Sequence, residues 1–264
     1  MLRIEHLTKQ YANKRAVDDL SLHIRSGEIY GFIGHNGAGK TTTIKACCQL
    51  LRFDGGEIYI DGMSIKENSL ACKAKLAYIP DNPDLYDFMT GIKYLNFVAD
   101  IFGIPAKERR ERIHELAERF ELTADLAGVI GGYSHGMKQK LAIISALIHE
   151  PKLMIMDEPF VGLDPKSSHS LKELMRGICD RGGAIFFSTH VLEVAEKLCD
   201  KVAIIKGGRL VVSGTMEEVV KGRADGGSLE DVFLELEGEG RTKEVRTEAA
   251  GAEKGRAEEE ERIC

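Results

Sequence analysis

The stretch GHNGAGKTT, Gly34 to Thr42, follows the apolar run Ile29, Tyr30, Phe32 and Ile33 and precedes a segment with helical spacing. Gly34, Gly39, Lys40 and Thr41 satisfy G-x-x-x-x-G-K-[ST], the pattern of a strand that turns sharply into a helix around a phosphate. Glycine lets the backbone wrap close to an anion, and successive N–H groups with the positive helix N-terminus then face the phosphate oxygens. The whole loop is therefore the expected cradle: Gly34, His35, Asn36, Gly37, Ala38, Gly39, Lys40, Thr41 and Thr42. Lys40 is expected to reach the outer phosphates. The Thr41 hydroxyl suits Mg2+, a hard cation that keeps most of its waters.

A second stretch gives this loop its chemistry. PKLMIMDEPFVGLDP reads as a buried strand of Leu153, Met154, Ile155 and Met156 that ends in Asp157 and Glu158. Open α/β sheets bind ligands at the C-terminal ends of their strands. There Asp157 can hold Mg2+ through water, and Glu158 can polarise an attacking water. AIFFSTH is another core strand, ending in His190, for which a structural and a catalytic role are both open. In GGYSHGMKQKLAI, Ser134 precedes Gly136 at the start of a patterned helix; it is a helix cap or, with the N-terminus, an anion site.

The opening residues alternate in short runs and read as strands leading to the loop. Tyr11, upstream of the loop, can stack on a base or simply pack in a strand. DGGEIYIDG reads as a further strand, and TTTIKACCQLL, with Ile44, Cys47, Cys48 and Leu51, as the helix that starts on the phosphates. Tyr94 to Leu122 is strongly helical, with Ile104, Ile113, Leu116 and Phe120 on one side. Strand signals are missing until Lys152, so residues 81–150 are expected to form a helical insert between two parts of an α/β core. Val191 to Cys199, a segment ending at Val220, and SLEDVFLELEG read as further helices. The tail, residues 239–264, has few large apolar residues and mixed charge, and is expected to be disordered.

A chain of 264 residues can bury one substantial core, or one large domain carrying an inserted subdomain. Net charge of −6 provides no global basic field, which argues against nucleic acid. The six cysteines show no CxxC pair or metal-ligand spacing, as expected for free thiols in a reducing cytosol. No secretory signal opens the chain, and Leu141 to Ile148 is too short to span a bilayer, so work at a membrane requires a partner.

Taken in order, these motifs resemble the nucleotide-binding subunit of ATP-binding cassette (ABC) transporters, over about Leu2 to Phe233. The resemblance implies an α/β fold: a P-loop NTPase core of ABC type with an N-terminal antiparallel β subdomain and an inserted helical subdomain, within an ATPase domain of residues 1–238. It identifies YSHGMKQ, Tyr133 to Gln139, as the signature motif, VGLDP as the D-loop and His190 as the switch histidine. Tyr11 then matches the adenine-stacking aromatic, with Val17 beside it. ATP and Mg2+ are the implied ligands. Ser134 and Gly136 are implied to meet the ATP held by Lys40 and Thr41 of a second cassette, an identical chain or a paralogue.

Two positions depart from the family pattern. The usual glutamine after the strand ending in proline is Asp81, still able to bind metal or water. The usual SGGQ is Ser134, His135, Gly136 and Met137. Such variants are similar to cassettes of a branch handling drugs, lipids, peptides or ions, mostly for export. The implied setting is cytoplasmic, peripheral on the inner face of the cell membrane, through a separate membrane-spanning permease. Leu85, Tyr86, Phe88 and Tyr94 are expected to form either an apolar groove for a permease helix or internal packing. The competing expectation is a soluble ATP-driven clamp; those relatives usually carry paired cassettes, a long coiled coil or zinc-binding inserts, none of which the sequence shows.

Overall fold

Alternation in LRIEHLTKQY buries Leu2, Ile4 and Leu7 along β1 (Leu2–Tyr11), and the same pattern buries Val17, Leu20, Leu22 and Ile24 along β2 (Lys14–Ile24). The structure is a computed structural model. It describes residues 1–220, 228–236 and 238; the expected charged tail lies outside the described residues. Strands β1 and β2 are antiparallel, and the step from Ile4 to Leu7 on one face is made by an irregularity at His6, where φ is 51°.

The next strand, β3 (Ile29–Ile33), is buried throughout and leads into α1 (Lys40–Cys47). The chain then adds β4 (Gly55–Ile60) and β5 (Met63–Ser64) to the first sheet, giving the order β2-β1-β4-β5. After α2 (Ser69–Lys75) it returns to the central sheet as β6 (Leu76–Ile79). Helices α3 (Gly91–Ile101), α4 (Ala106–Arg119) and α5 (His135–Leu147) follow, and α3 and α4 both pack on α5. The helical stretch expected from Tyr94 to Leu122 is broken between α3 and α4, at Gly103 (φ 65°) and Pro105. Glycine there takes the left-handed conformation, and the following proline caps the next helix.

Strand β7 (Leu153–Asp157), α6 (Pro165–Asp180), β8 (Ala184–Thr189), α7 (Leu192–Leu198), β9 (Lys201–Lys206) and β10 (Arg209–Thr215) complete the core. The second sheet has the order β10-β9-β3-β8-β7-β6, parallel except for β10. Parallel strands covered on both faces read as continuous apolar runs, as LMIM and AIFF do. Tyr30 and Phe32 face a core cluster shared with the antiparallel sheet, α1, Ile155 and Phe186. Gly31 faces α7, where a Cβ would lie 2.7 Å from Cys199 Sγ.

Register carries the functional consequence. Ile33 pairs with Thr189, Asp157 with Ser188, and Ile79 with Met156. The residues that leave the C-terminal ends of β3, β8, β7 and β6 are therefore level across the sheet. The helical segment is tied to that sheet by His149, whose Nε2 donates to the Leu76 carbonyl at 3.2 Å while Phe102 stacks on the ring at 3.8 Å. Burial pulls the His149 pKa down to about 4, which keeps the ring neutral at physiological pH.

These elements belong to one compact unit, Met1–Thr215; the second unit, Met216–Cys264, includes α8 (Met216–Val220) and helical residues 229–236. Cys47, Cys48, Cys72, Cys179 and Cys199 are buried free thiols. Among the described residues, no helix is long and apolar enough to cross a membrane.

Candidate nucleotide site

The loop between β3 and α1 is built for close approach. A Cβ on Gly34 would sit 2.5 Å from the Ile205 carbonyl oxygen, and one on Gly39 (φ 114°) would sit 2.5 Å from that of Ala16. Gly37 has φ 81°. Side chains at Gly34 and Gly39 would displace backbone, so the loop wraps as it does only with glycine there. Ala38 is buried, and its carbonyl accepts from Gly208 N at 2.9 Å, which pins the loop to the turn before β10.

Lys40 opens α1 and is 6% exposed. Its ammonium donates to the Gly34 carbonyl at 2.6 Å and lies 3.9 Å from Glu158 Oε1. Burial lowers its pKa, and the Glu158 and Asp157 carboxylates oppose that shift. A cavity of about 340 Å³ opens in front of it, lined by Tyr11, Lys14, Ala16, His35, Asn36, Gly37, Gly39, Lys40, Thr41, Thr42, Asp81, Asp157 and Glu158. Three of the elements foreseen separately, the loop, the strand carboxylates and Tyr11, thus share one space.

Asp157 is 1% exposed, accepts from Ser188 Oγ through Oδ1, and has no partner for Oδ2 among the described residues. A buried carboxylate oxygen left unpaired at the edge of this cavity fits a hydrated hard cation. Glu158 follows in the left-handed region (φ 48°), a conformation that costs a non-glycine residue energy and is concentrated at functional positions. Its backbone N–H donates to Ser188 Oγ at 3.1 Å, and Oε2 lies 2.9 Å from His190 Nδ1. The carboxylate is thereby held between Lys40 and His190. Ser188, which fixes both acids, carries one signal in the sequence: with Thr189 it forms the hydroxyl pair that ends an otherwise apolar strand. Lys14 carries none, because only the β1–β2 turn brings it beside Tyr11.

Asp81 leaves β6 at the cavity wall, where Oδ1 accepts from Asn82 N at 2.9 Å. Tyr11 is 46% exposed, and the Lys9 ammonium stands 5.2 Å from its ring centroid. Val17 is fully buried in β2 and is not among the residues lining the cavity.

Ser134 and Gly136 lie elsewhere. Ser134 is exposed and caps α5, its Oγ accepting from Met137 N at 3.3 Å; neither residue lines the cavity. The helix they open is fastened to the loop after Glu158. A Cβ on Gly136 would lie 2.7 Å from the Gly162 carbonyl oxygen, and one on Gly162 (φ 78°) 2.5 Å from His135 Cδ2. Lys140 pairs with Asp164 at 2.7 Å, and Asp164 caps α6 by accepting from Ser167 N at 2.8 Å. Gly162→Ala is expected to destabilise the fold by about 1–3 kcal/mol, through the left-handed φ and the crowded His135 ring. The denaturant midpoint checks this; an unchanged midpoint would mean the loop does not rest on His135.

Comparison with known proteins agrees with this geometry. The ABC transporter family profile matches residues 17–161. The ABC transporter ATP-binding protein YhcH of Bacillus subtilis is 36% identical over 213 residues, 80% of this chain and 68% of YhcH. The linearmycin resistance ATP-binding protein LnrL of the same organism is 34% identical over 219 residues, 83% of this chain and 70% of LnrL. A solved ATP-binding subunit of an ABC transporter matches with a TM-score of 0.85 and 35% identity, covering 89% of this chain and 99% of that one. With the family profile spanning more than half of its length, the chain belongs to the ABC transporter family, as an ATP-binding, ATP-hydrolysing subunit of a transporter.

Proposed function

We propose that this chain powers export through a separate membrane-spanning permease, by ATP-driven closure of two cassettes and reopening on hydrolysis. The observation that carries the reading is the cavity in which Lys40, Asp157 and Glu158 converge, while the open α5 N-terminus at Ser134 lies outside it. In one chain Tyr11, with Val17 beside it, receives the adenine. The backbone of residues 34–39 and the α1 N-terminus cradle the phosphates, and Lys40 reaches the outer ones. Ser134 and Gly136 of a second cassette close over the same ATP. Binding then joins the two chains, and cleavage removes the γ-phosphate contacts that held them.

Thr41 and Asp157, with Asp81 across the cavity, would hold Mg2+. Bound there, Mg2+ supplies positive charge to the β- and γ-phosphate oxygens. Glu158 orients or deprotonates the attacking water, and His190 steadies Glu158 and contacts the γ-phosphate. Phosphoryl transfer asks mainly for such positioning and charge stabilisation. Residues 1–238 are taken as the ATPase domain, with residues 81–150 as its helical insert.

The partner surface is aromatic. Tyr86 (48% exposed) and Phe88 (82%) stack at 5.9 Å, and Tyr86 also meets Tyr94 at 6.0 Å and Phe97 at 5.8 Å. Leu85 lies half-buried beside them. Apolar rings clustered in the open mark an interaction site, and a permease helix is the occupant that fits a transporter subunit. Such docking places the chain on the cytoplasmic face of the membrane. Export is supported by the Asp81 and Met137 variants and by the resistance role in the name of LnrL. Joint replacement Tyr86→Ala and Phe88→Ala is expected to lower copurification of the permease at least about tenfold, as loss of two aromatic anchors does, with ATP turnover of the isolated chain unchanged. Unchanged copurification would move the docking site elsewhere.

A further inference from the structure

The Tyr78 hydroxyl, like Asp157 Oδ2, is a buried polar atom with no hydrogen-bond partner among the described residues. Orphans of this kind are rare in folded proteins and call for a bound water or ion. The two sit on neighbouring strands. Tyr78 of β6 pairs with Ile155 of β7 in parallel register, so Asp157, two residues past Ile155, shares Tyr78's face of the sheet. Diagonal positions of that kind have Cβ atoms about 7–8 Å apart, within reach of an aromatic side chain. Tyr78 and Ile155 pack on the same core cluster, with Cys47 and Cys48 at the end of α1 beside them. Burial and the Asp157 carboxylate, followed by Cys48 and Asp81, raise the Tyr78 pKa, so the phenol keeps its proton.

The hydrogen-bonding needs are complementary. Oδ1 of Asp157 already accepts from Ser188, while Oδ2 lacks a donor and the phenol lacks an acceptor. A single buried water, which ordinarily makes about three hydrogen bonds, joins such a pair. We propose that Tyr78 is a positioning residue for Asp157, its hydroxyl donating through one buried water to Oδ2, so that Ser188 and Tyr78 together fix the carboxylate that faces the metal. This rests on the reading of Asp157 as a Mg2+ site. Loss of a partner that orients a metal-binding carboxylate typically costs about 10–100-fold in metal affinity.

Tyr78→Phe keeps the ring and removes only the oxygen. Two readouts on the full chain test the proposal: the thermal midpoint without metal, and the Mg2+ concentration that half-saturates Mg2+-dependent ATP binding, with ATP affinity in EDTA as reference. A bridged hydroxyl predicts a lower midpoint and a Mg2+ requirement raised about tenfold, with affinity in EDTA unchanged. A midpoint that stays or rises overturns it, because deleting a truly orphaned buried hydroxyl is neutral or stabilising. A lower midpoint with an unmoved Mg2+ requirement also overturns it, leaving Tyr78 a packing residue. Asp157→Asn separates the layers. If it raises the Mg2+ requirement and Tyr78→Phe does not, the inference fails alone; if neither does, the metal reading of Asp157 fails with it.

Discussion

Glu158→Gln is expected to retain ATP binding and to lose turnover by at least about a hundredfold, the usual cost of removing one group that positions or stabilises phosphoryl transfer. The amide is isosteric, so packing in the left-handed turn and the hydrogen bond that the residue's backbone N–H donates to Ser188 Oγ survive. What disappears is the negative charge that Lys40 and His190 hold in place, and with it the capacity to orient or deprotonate water. Since ATP still binds but is not cleaved, the variant should accumulate as a closed dimer in ATP, visible by light scattering as a doubled mass. Turnover at the wild-type rate would remove Glu158 from the mechanism.

Lys40→Met is expected to weaken ATP binding by about a hundredfold or more, roughly 3 kcal/mol, as loss of a buried charge-assisted contact does. The ammonium is almost fully enclosed, donates to the Gly34 carbonyl and faces Glu158. Removing it leaves Asp157, Glu158 and Asp81 around the cavity without their buried counter-charge, so the triphosphate meets repulsion as well as losing a donor. Calorimetric titration with ATP gives the number directly. Affinity within a factor of three of wild type would show that the cavity in front of Lys40 is not where the phosphates sit.

Much of the site could be read from the sequence because its parts are local. Gly34 to Thr42 is one covalent stretch whose spacing dictates its turn, and Asp157 and Glu158 advertise themselves as acids ending an apolar run. The antiparallel strands were legible from alternation, the central sheet from its apolar runs. What escaped depends on contacts between distant residues. Ser188 matters because β8 lies beside β7, a pairing of residues 31 apart. The fit of His135 over Gly162 needs α5 to pack on the loop after β7, which no spacing rule encodes. Helix ends were harder still. The segment expected to stay helical to Leu51 leaves α1 after Cys47, because Gln49 turns through φ 59°. The short α2 (Ser69–Lys75) has little helical patterning of its own to announce it.

Of Asp81, His135 and Met137, only Asp81 lines the cavity. Asp81 stays on its wall, and Ser134 still caps α5. The negative charge of Asp81 near a triphosphate makes Mg2+ dependence the property in which this chain should differ most from cassettes with glutamine there.

Recovery of the tagged chain from detergent-solubilised membranes, with and without ATP, followed by identification of its partners, tests the transport reading most directly. A multi-spanning protein in stoichiometric amount is the expected result, and its identity would nominate the cargo. Soluble partners alone, with ATP hydrolysis intact, would contradict transport and point to an ATP-driven clamp.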